Sequence, residues 1–183
     1  PYYTSNSQFM QDHFEAFANS IKAKNPRFVV EIGCNDGTML RHFKDINHLG
    51  IEPASNVATV ATDRGCDVIY DFFDRKLAKK IVNREGEADY ILAANVICHV
   101  ADLPDLCQGV RTLLADGGRF IFEEPYLPAM LNRTSFDQVY DEHVFMFSAN
   151  SVRNAFARYG LYLIDCEAQW AHGGSMRGGP ADF

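Results

Sequence analysis

Four consecutive positions, Tyr140-Asp141-Glu142-His143, gather a phenol, two acids and an imidazole. An imidazole titrates at about 6.5 when unperturbed, so it can accept a proton at neutral pH. A neighbouring glutamate such as Glu142 can orient or polarise it. His99 is a second titratable group, and it follows a strand-like run. Together these types suit proton abstraction next to a group that gains negative charge. A loop histidine with a structural role is the plain alternative for each. A second set is acidic. Glu31 stands just before a glycine turn, Glu52 before a proline about twenty residues after that turn, and Asp71 before the pair Phe72-Phe73. Acids at strand ends suit a ligand that is cationic or rich in hydrogen-bond donors.

The run Phe28-Val29-Val30-Glu31-Ile32-Gly33-Cys34-Asn35-Asp36-Gly37 organises the second set. It reads as a buried strand, a tight turn and the start of a helix. In an open α/β sheet, a nucleotide-like ligand docks outside the carboxyl end of such a strand. The glycines let the backbone approach that ligand, and Asn35 tolerates positive φ. The dinucleotide fingerprint is excluded, because Asn35 and Thr38 stand where its further glycines belong. No P-loop lysine follows, and Glu31 would repel a pyrophosphate. The pattern E-x-G-x-N-x-G resembles the first motif of class I S-adenosylmethionine (SAM) methyltransferases, whose cofactor carries an ammonium and a sulfonium but no phosphate. That resemblance makes Glu31, Gly33, Cys34, Asn35 and Gly37 the cofactor loop. Glu52 then takes the ribose hydroxyls. Asp71 accepts from the adenine amine, and Phe72 and Phe73 either cover the ring or pack in the core. Asn95, at the end of a fourth strand, either orients the reacting end of the cofactor or caps a helix.

The elements that must position these residues alternate. A helix is expected from Asn6 to Lys24, with Ser5 or Ser7 as its cap and Phe9, His13, Phe14, Phe17 and Ile21 near one face. Strands follow at 28–32, 48–53, 67–73, 88–94, 118–123 and 161–166. Helices are expected at 38–44, 54–64, 75–83, 105–114 and 148–159, the last stopped by Gly160. Residues 127–141 read as loop. The pattern is an α/β fold with a mostly parallel sheet and helices on both faces, the Rossmann-like class I architecture. Three regions are expected. Residues 1–25 form a helical lead-in and 26–170 the cofactor-binding domain. Residues 171–183 form a loop or the start of a further region, so the chain reads as a fragment.

The chain has 183 residues, 47% hydrophobic and 22% charged, enough for one domain with a sizeable core. A net charge of -7 argues against nucleic acid as the partner. No apolar run approaches the roughly 20 residues of a membrane span, and no signal peptide is visible. Cys34, Cys66, Cys98, Cys107 and Cys166 show neither a C-x-x-C pair nor zinc spacing. No metal site is expected in this chain. Reduced thiols and a cytoplasmic location are expected.

The segments EIGCNDG, YDEHVFMFS and HGGSMR, with the opening YYTSNSQFMQDHF, resemble the sugar C-methyltransferases along essentially the whole chain. These act on nucleotide-linked 4-keto deoxysugars in antibiotic and polysaccharide biosynthesis. The resemblance implies SAM as cofactor and a nucleotide-sugar substrate, methylated at carbon 3 through an enolate. It implies His143 as the base, Tyr140 and Glu142 as its supports, and His99 as the group that steadies the enolate oxygen. Tyr2 or Tyr3, Ser175 and Arg177 are implied near the acceptor, although Arg177 equally reads as a solvated charge. The family also carries a cysteine-ligated zinc domain ahead of this region and a second α/β domain after it, neither present in this sequence. Two other readings stay open: an O- or N-methyltransferase of a small metabolite, and a non-catalytic SAM-binding module.

Overall fold

The apolar run Phe28–Ile32 forms strand β1, buried along its whole length, in the computed structural model of the chain. The structure describes residues 3–135, 138–171 and 174–181. Strands β2 (Asn47–Ile51) and β4 (Ala88–Ala94) flank β1 in parallel, and β3 (Val68–Ile69) pairs with β2. Strand β5 (Leu114–Pro125) lies parallel to β4. The seven strands run in the order β3-β2-β1-β4-β5-β7-β6, with β6 spanning Tyr162–Gln169 and β7 spanning Ser175–Ala181. Strand order reverses between β1 and β4, which opens a crevice at their carboxyl ends.

Period-2 alternation divides the core between the two faces of the sheet. Phe28, Val30 and Ile32 pack with Leu77, Ile81, Leu106, Val110, Val152 and Phe156 from α3 (Arg75–Glu85), α4 (Leu103–Leu113) and α6 (Ala149–Phe156). Val29 and Leu92 face the other way, against Met10, Phe14, Phe17 and Ile21 of α1 (Gln8–Lys22) and Ala61 of α2 (Ser55–Asp63). Side-chain caps start α1, α3 and α4. Ser7 accepts from the Met10 N–H, Asp74 from Leu77 and Asp102 from Asp105.

Four expectations need correction. The helix expected after the glycine turn shrinks to a 3₁₀ turn at Leu40–Phe43, whose three-residue repeat sets Leu40 and Phe43 on one buried side, with Met39 buried just before them. Within the loop expected at 127–141, Leu127–Arg133 is a short helix, α5. Pro128 is compatible with a helix's first turn and does not break it there. Phe9 is exposed and stacks on His13, leaving Met10 to the core. Most consequentially, the expected loop at 171–183 contains β7. The strand is antiparallel between β5 and β6, with Glu123 opposite Arg177 and Gln169 opposite Ser175. Its sequence, with two glycines and a proline among seven residues, carries no strand signal. The backbone donors and acceptors of two neighbouring strands supply the pairing. Tyr2 and the His172-Gly173 pair lie outside the described residues.

Candidate functional site

A cleft of about 500 Å³ opens at the carboxyl ends of β1, β2 and β4. Glu31, Gly33, Cys34, Asn35, Glu52, Phe72, Phe73, Asn95 and His99 all line it, with Met10 and Phe14 of α1 forming another wall. Of the expected cofactor residues, Gly37 and Asp71 do not. Gly37 has φ +74, and a Cβ there would come within 3.0 Å of Ala61 and 3.1 Å of the Cys66 sulfur. Its glycine serves helix packing. Asp71 is exposed and accepts from the Phe72 N–H. Gly33, at φ +68, would set a Cβ only 2.3 Å from Val96, so the turn after β1 and the turn after β4 touch at this position. Gly33 lines the cleft as well as admitting Val96, whereas Gly37 lies outside it.

Two buried acids give the cleft its character. Glu31 faces α1, and burial, with the charges of Asp36 and Glu52 nearby, pushes its carboxyl well above the usual range. Its Oε2 is buried without a hydrogen-bond partner, while the Leu40 N–H donates to the carboxyl. Such an orphan in a cleft wall asks for a donor or a positive charge. Glu52 is held ready by the N–H groups of Asn35 and Ala54, at 3.1 and 2.9 Å. Burial alone would raise Asp36. Hydrogen bonds from Ser5 and Thr38 and the charge of Arg64 outweigh it and keep that carboxyl below its usual range. Ser5 and the Thr4 N–H, which donates to Asn35, thereby tie the start of the chain to the turn. Asn35 and Asn95 both adopt left-handed backbone conformations, φ 49 and 55. Phe72 is 74% exposed at the rim, whereas Phe73 packs into the core and meets α4 at Gly109, so the two share neither role. The Cys34 backbone forms the turn while its thiol packs beneath, against Gly50.

The histidines meet at the edge of this cleft. The rings of His99 and His143 lie 4.8 Å apart, and the Tyr140 ring lies 4.1 Å from His143. Nδ1 of His143 contacts the Gln138 carbonyl at 2.7 Å, so it carries the proton, and Nε2 accepts from the Tyr140 hydroxyl at 2.8 Å. Desolvation lowers His143 below the ordinary histidine range, and the neighbouring His99 adds to this. The Tyr140 phenol moves up, through burial first and then the charges of Cys98 and Glu142, and stays a hydroxyl donor. Glu142 does not bond His143. The exposed carboxylate acts on it only through its charge, while its backbone carbonyl takes the His99 Nδ1–H at 2.9 Å. The orienting acceptor of His143 is therefore the Gln138 carbonyl, which no side-chain motif displays. Cys98 lies beside both histidines, with donor atoms within 4.8 Å of one another. Both nitrogens of His143 are already hydrogen-bonded, and burial and Glu124 raise the Cys98 thiol, so the group reads as an acid–base set.

The sequence gives little sign of two further acids. Glu124 is fully buried, and its carboxylate accepts from the N–H groups of Val96, Ile97 and Cys98, shaping the turn that carries Asn95 and His99. Glu123, on the opposite face of β5, binds His13 and Arg177. Arg177 is thus committed to an internal ion pair and lies over the Phe17 ring. Ser175 is buried in β7 with its hydroxyl unpartnered. Tyr3 starts the 3₁₀ turn Thr4–Asn6 and accepts from the Asn6 N–H through its carbonyl.

The profile of the methyltransferase domain family matches residues 4–165. The C-methyltransferase NovU of Streptomyces niveus is 35% identical over 150 residues, which are 81% of this chain and 36% of NovU. The chain therefore spans about a third of the length of that curated relative. Among solved structures, magnesium protoporphyrin IX methyltransferase from Synechocystis PCC 6803, with bound SAH, superimposes with a TM-score of 0.69 at 11% identity. It covers 94% of this chain and 83% of its own. A SAM-dependent methyltransferase from Archaeoglobus fulgidus gives 0.69 at 14% identity, over 87% of this chain and 72% of its own. At these identities the two likenesses establish a shared fold. Among the described residues, no helix is long and apolar enough to cross a membrane.

Proposed function

Because this chain belongs to the methyltransferase domain family and is a SAM-dependent methyltransferase, we propose that it methylates carbon, at position 3 of a nucleotide-linked 4-keto-deoxysugar. The observation that carries this reading is the Tyr140–His143–His99 cluster at the rim of an acid-walled cleft. Methyl transfer to an oxygen or nitrogen lone pair has little need for a dedicated carbon base. A neutral imidazole with a fixed acceptor nitrogen, beside a second imidazole, is what enolate chemistry asks for. The 35% identity to a C-methyltransferase and the sugar C-methyltransferase motifs support the same reading.

The residues present fit SAM. The orphaned Glu31 Oε2 suits the ammonium, Glu52 the ribose hydroxyls, and the exposed Phe72 the adenine face. When bound, SAM supplies an electrophilic methyl on a sulfonium. The chain's own residues handle the proton. Carbon 3, beside the keto group, loses its proton to the Tyr140–His143 pair. Either His143 Nε2 takes it directly, or the Tyr140 oxygen takes it while passing its own proton to Nε2. The electron pair left behind spreads onto the keto oxygen. His99 holds Nδ1–H on the Glu142 carbonyl and offers Nε2 toward that oxygen, and it donates there when both its nitrogens are protonated. Asn95, next to Ala94 at the end of β4, borders the reacting centre.

The test is solvent exchange. In deuterated buffer, the protein should exchange the carbon-3 proton of a nucleotide-linked 4-keto-deoxysugar and, with SAM, methylate that carbon. His143→Ala should lose exchange while binding SAM within about twofold of the unaltered protein. Methyl transfer retained in His143→Ala would refute the carbon-base assignment and favour an acceptor that is already nucleophilic.

A further inference from the structure

We propose that His13, Glu123 and Arg177 form a clamp of positioning residues that fixes α1 as a wall of the cofactor cleft, an assignment that rests on the methyltransferase reading. Helix α1 presents Met10 and Phe14 to the cleft, and His13 lies between them in sequence. The helix is therefore part of the binding site, and its angle on the sheet sets the width of that site.

Glu123 is the centre of the clamp. It is 3% exposed and projects from β5 onto the α1 face, paired in register with Ala94 of β4, which lines the cleft. Its carbonyl takes the Asn95 N–H at 2.7 Å, so the same residue anchors the turn after β4. Its carboxylate divides between two partners. Oε2 accepts from His13 Nε2 at 2.7 Å, and Oε1 accepts from Arg177 through both Nε, at 2.5 Å, and Nη2. Arg177 in turn lies over the ring of Phe17, one turn along α1 from His13, with its guanidinium carbon 3.8 Å from the centroid. Three elements, α1, β5 and β7, are thereby joined through one carboxylate.

Adhesion alone does not call for this chemistry. An apolar trio of similar volume would hold a helix on a sheet about as well as a buried ion network, whose desolvation cost offsets its attraction. Directional bonds add orientation, because each partner is satisfied at only one helix position. At its other end, the lead-in to α1 is tied to the glycine turn by Thr4 and Ser5. The clamp and this tether bracket the stretch of α1 that carries Met10 and Phe14.

The measurement pairs SAM affinity, by calorimetry, with amide hydrogen exchange in α1 and in β1 and β4. His13→Ala and Arg177→Ala should each weaken SAM binding about tenfold and speed exchange in α1 while leaving β1 and β4 protected. His13→Gln places an amide donor near the position of imidazole Nε2, and it should restore affinity to within about twofold. SAM affinity unchanged in both alanine variants would overturn the clamp. So would protection lost evenly from α1, β1 and β4, which would mark a contribution to global stability only. Failure of the unaltered protein to bind SAM would strike the methyltransferase reading instead, and the exchange pattern of α1 would still decide the clamp.

Discussion

At the scale of single residues, the acid–base behaviour of the cleft depends on which groups burial has displaced. His143 sits below the ordinary histidine range, first through desolvation and then through His99. The neutral imidazole is the base, so methyl transfer should fall as pH drops through the His143 pKa. The acidic limb of the rate profile should lie below about pH 6.5. A profile of turnover against pH checks this, and a limb above that value would contradict the placement. Glu31 moves the other way, since burial and two neighbouring acids raise it. Its folded pKa exceeds its unfolded one, so its contribution to stability is full below the unfolded value and is lost as pH rises through the folded one. Glu31→Gln should therefore leave stability unchanged at about pH 4 and raise it at about pH 8, while weakening SAM binding about tenfold. Urea denaturation at the two pH values, with calorimetry, tests both halves.

At the scale of elements, the turns after β1 and β4 form one unit. Gly33 admits Val96 against the first turn, and Glu124 gathers the three N–H groups that shape the second. Glu124→Ala would leave those donors without their acceptor. It should cost about 3 kcal/mol of stability or more, and it should loosen Asn95 and His99 together. The midpoint of urea unfolding measures the cost. A variant as stable as the parent would show that water replaces the carboxylate at no penalty. Strand β7 works similarly on the other side of β5, since it carries Arg177 to Glu123 and seats Ser175 opposite Pro125.

At the scale of the whole molecule, the cleft lies where the two halves of the sheet diverge, with a packed hydrophobic cluster on each face behind it. The ends of the rigid strands deliver Glu31 and Glu52 from neighbouring positions, while the clamped α1 and the segment after β4 supply the other walls. This division of labour suits a domain that grips a cofactor against the sheet and meets its acceptor over the loops. The chain spans about a third of the curated relative. What this domain offers the proposed acceptor is the rim of the cleft, where His99 and Tyr140 flank His143.

Local pattern was enough for the sequence to declare β1, its turn, the alternation of strands with helices, and the Tyr140-Asp141-Glu142-His143 cluster. Each is written in consecutive residues whose periodicity or chemistry does not depend on distant partners. Tertiary structure alone decided the partners. Glu123 meets His13 across 110 positions and Arg177 across 54, and the parity of β5 sends Glu123 to one face and Glu124 to the other. Gln138 orients His143 through a backbone carbonyl, which every residue possesses and no side-chain pattern marks. Strand β7 arises from hydrogen-bonding edges that exist only once β5 and β6 are in place. A carboxylate's role depends on what surrounds it in space, and burial, which moved Glu31 and His143 in opposite directions, is a property of the assembled fold.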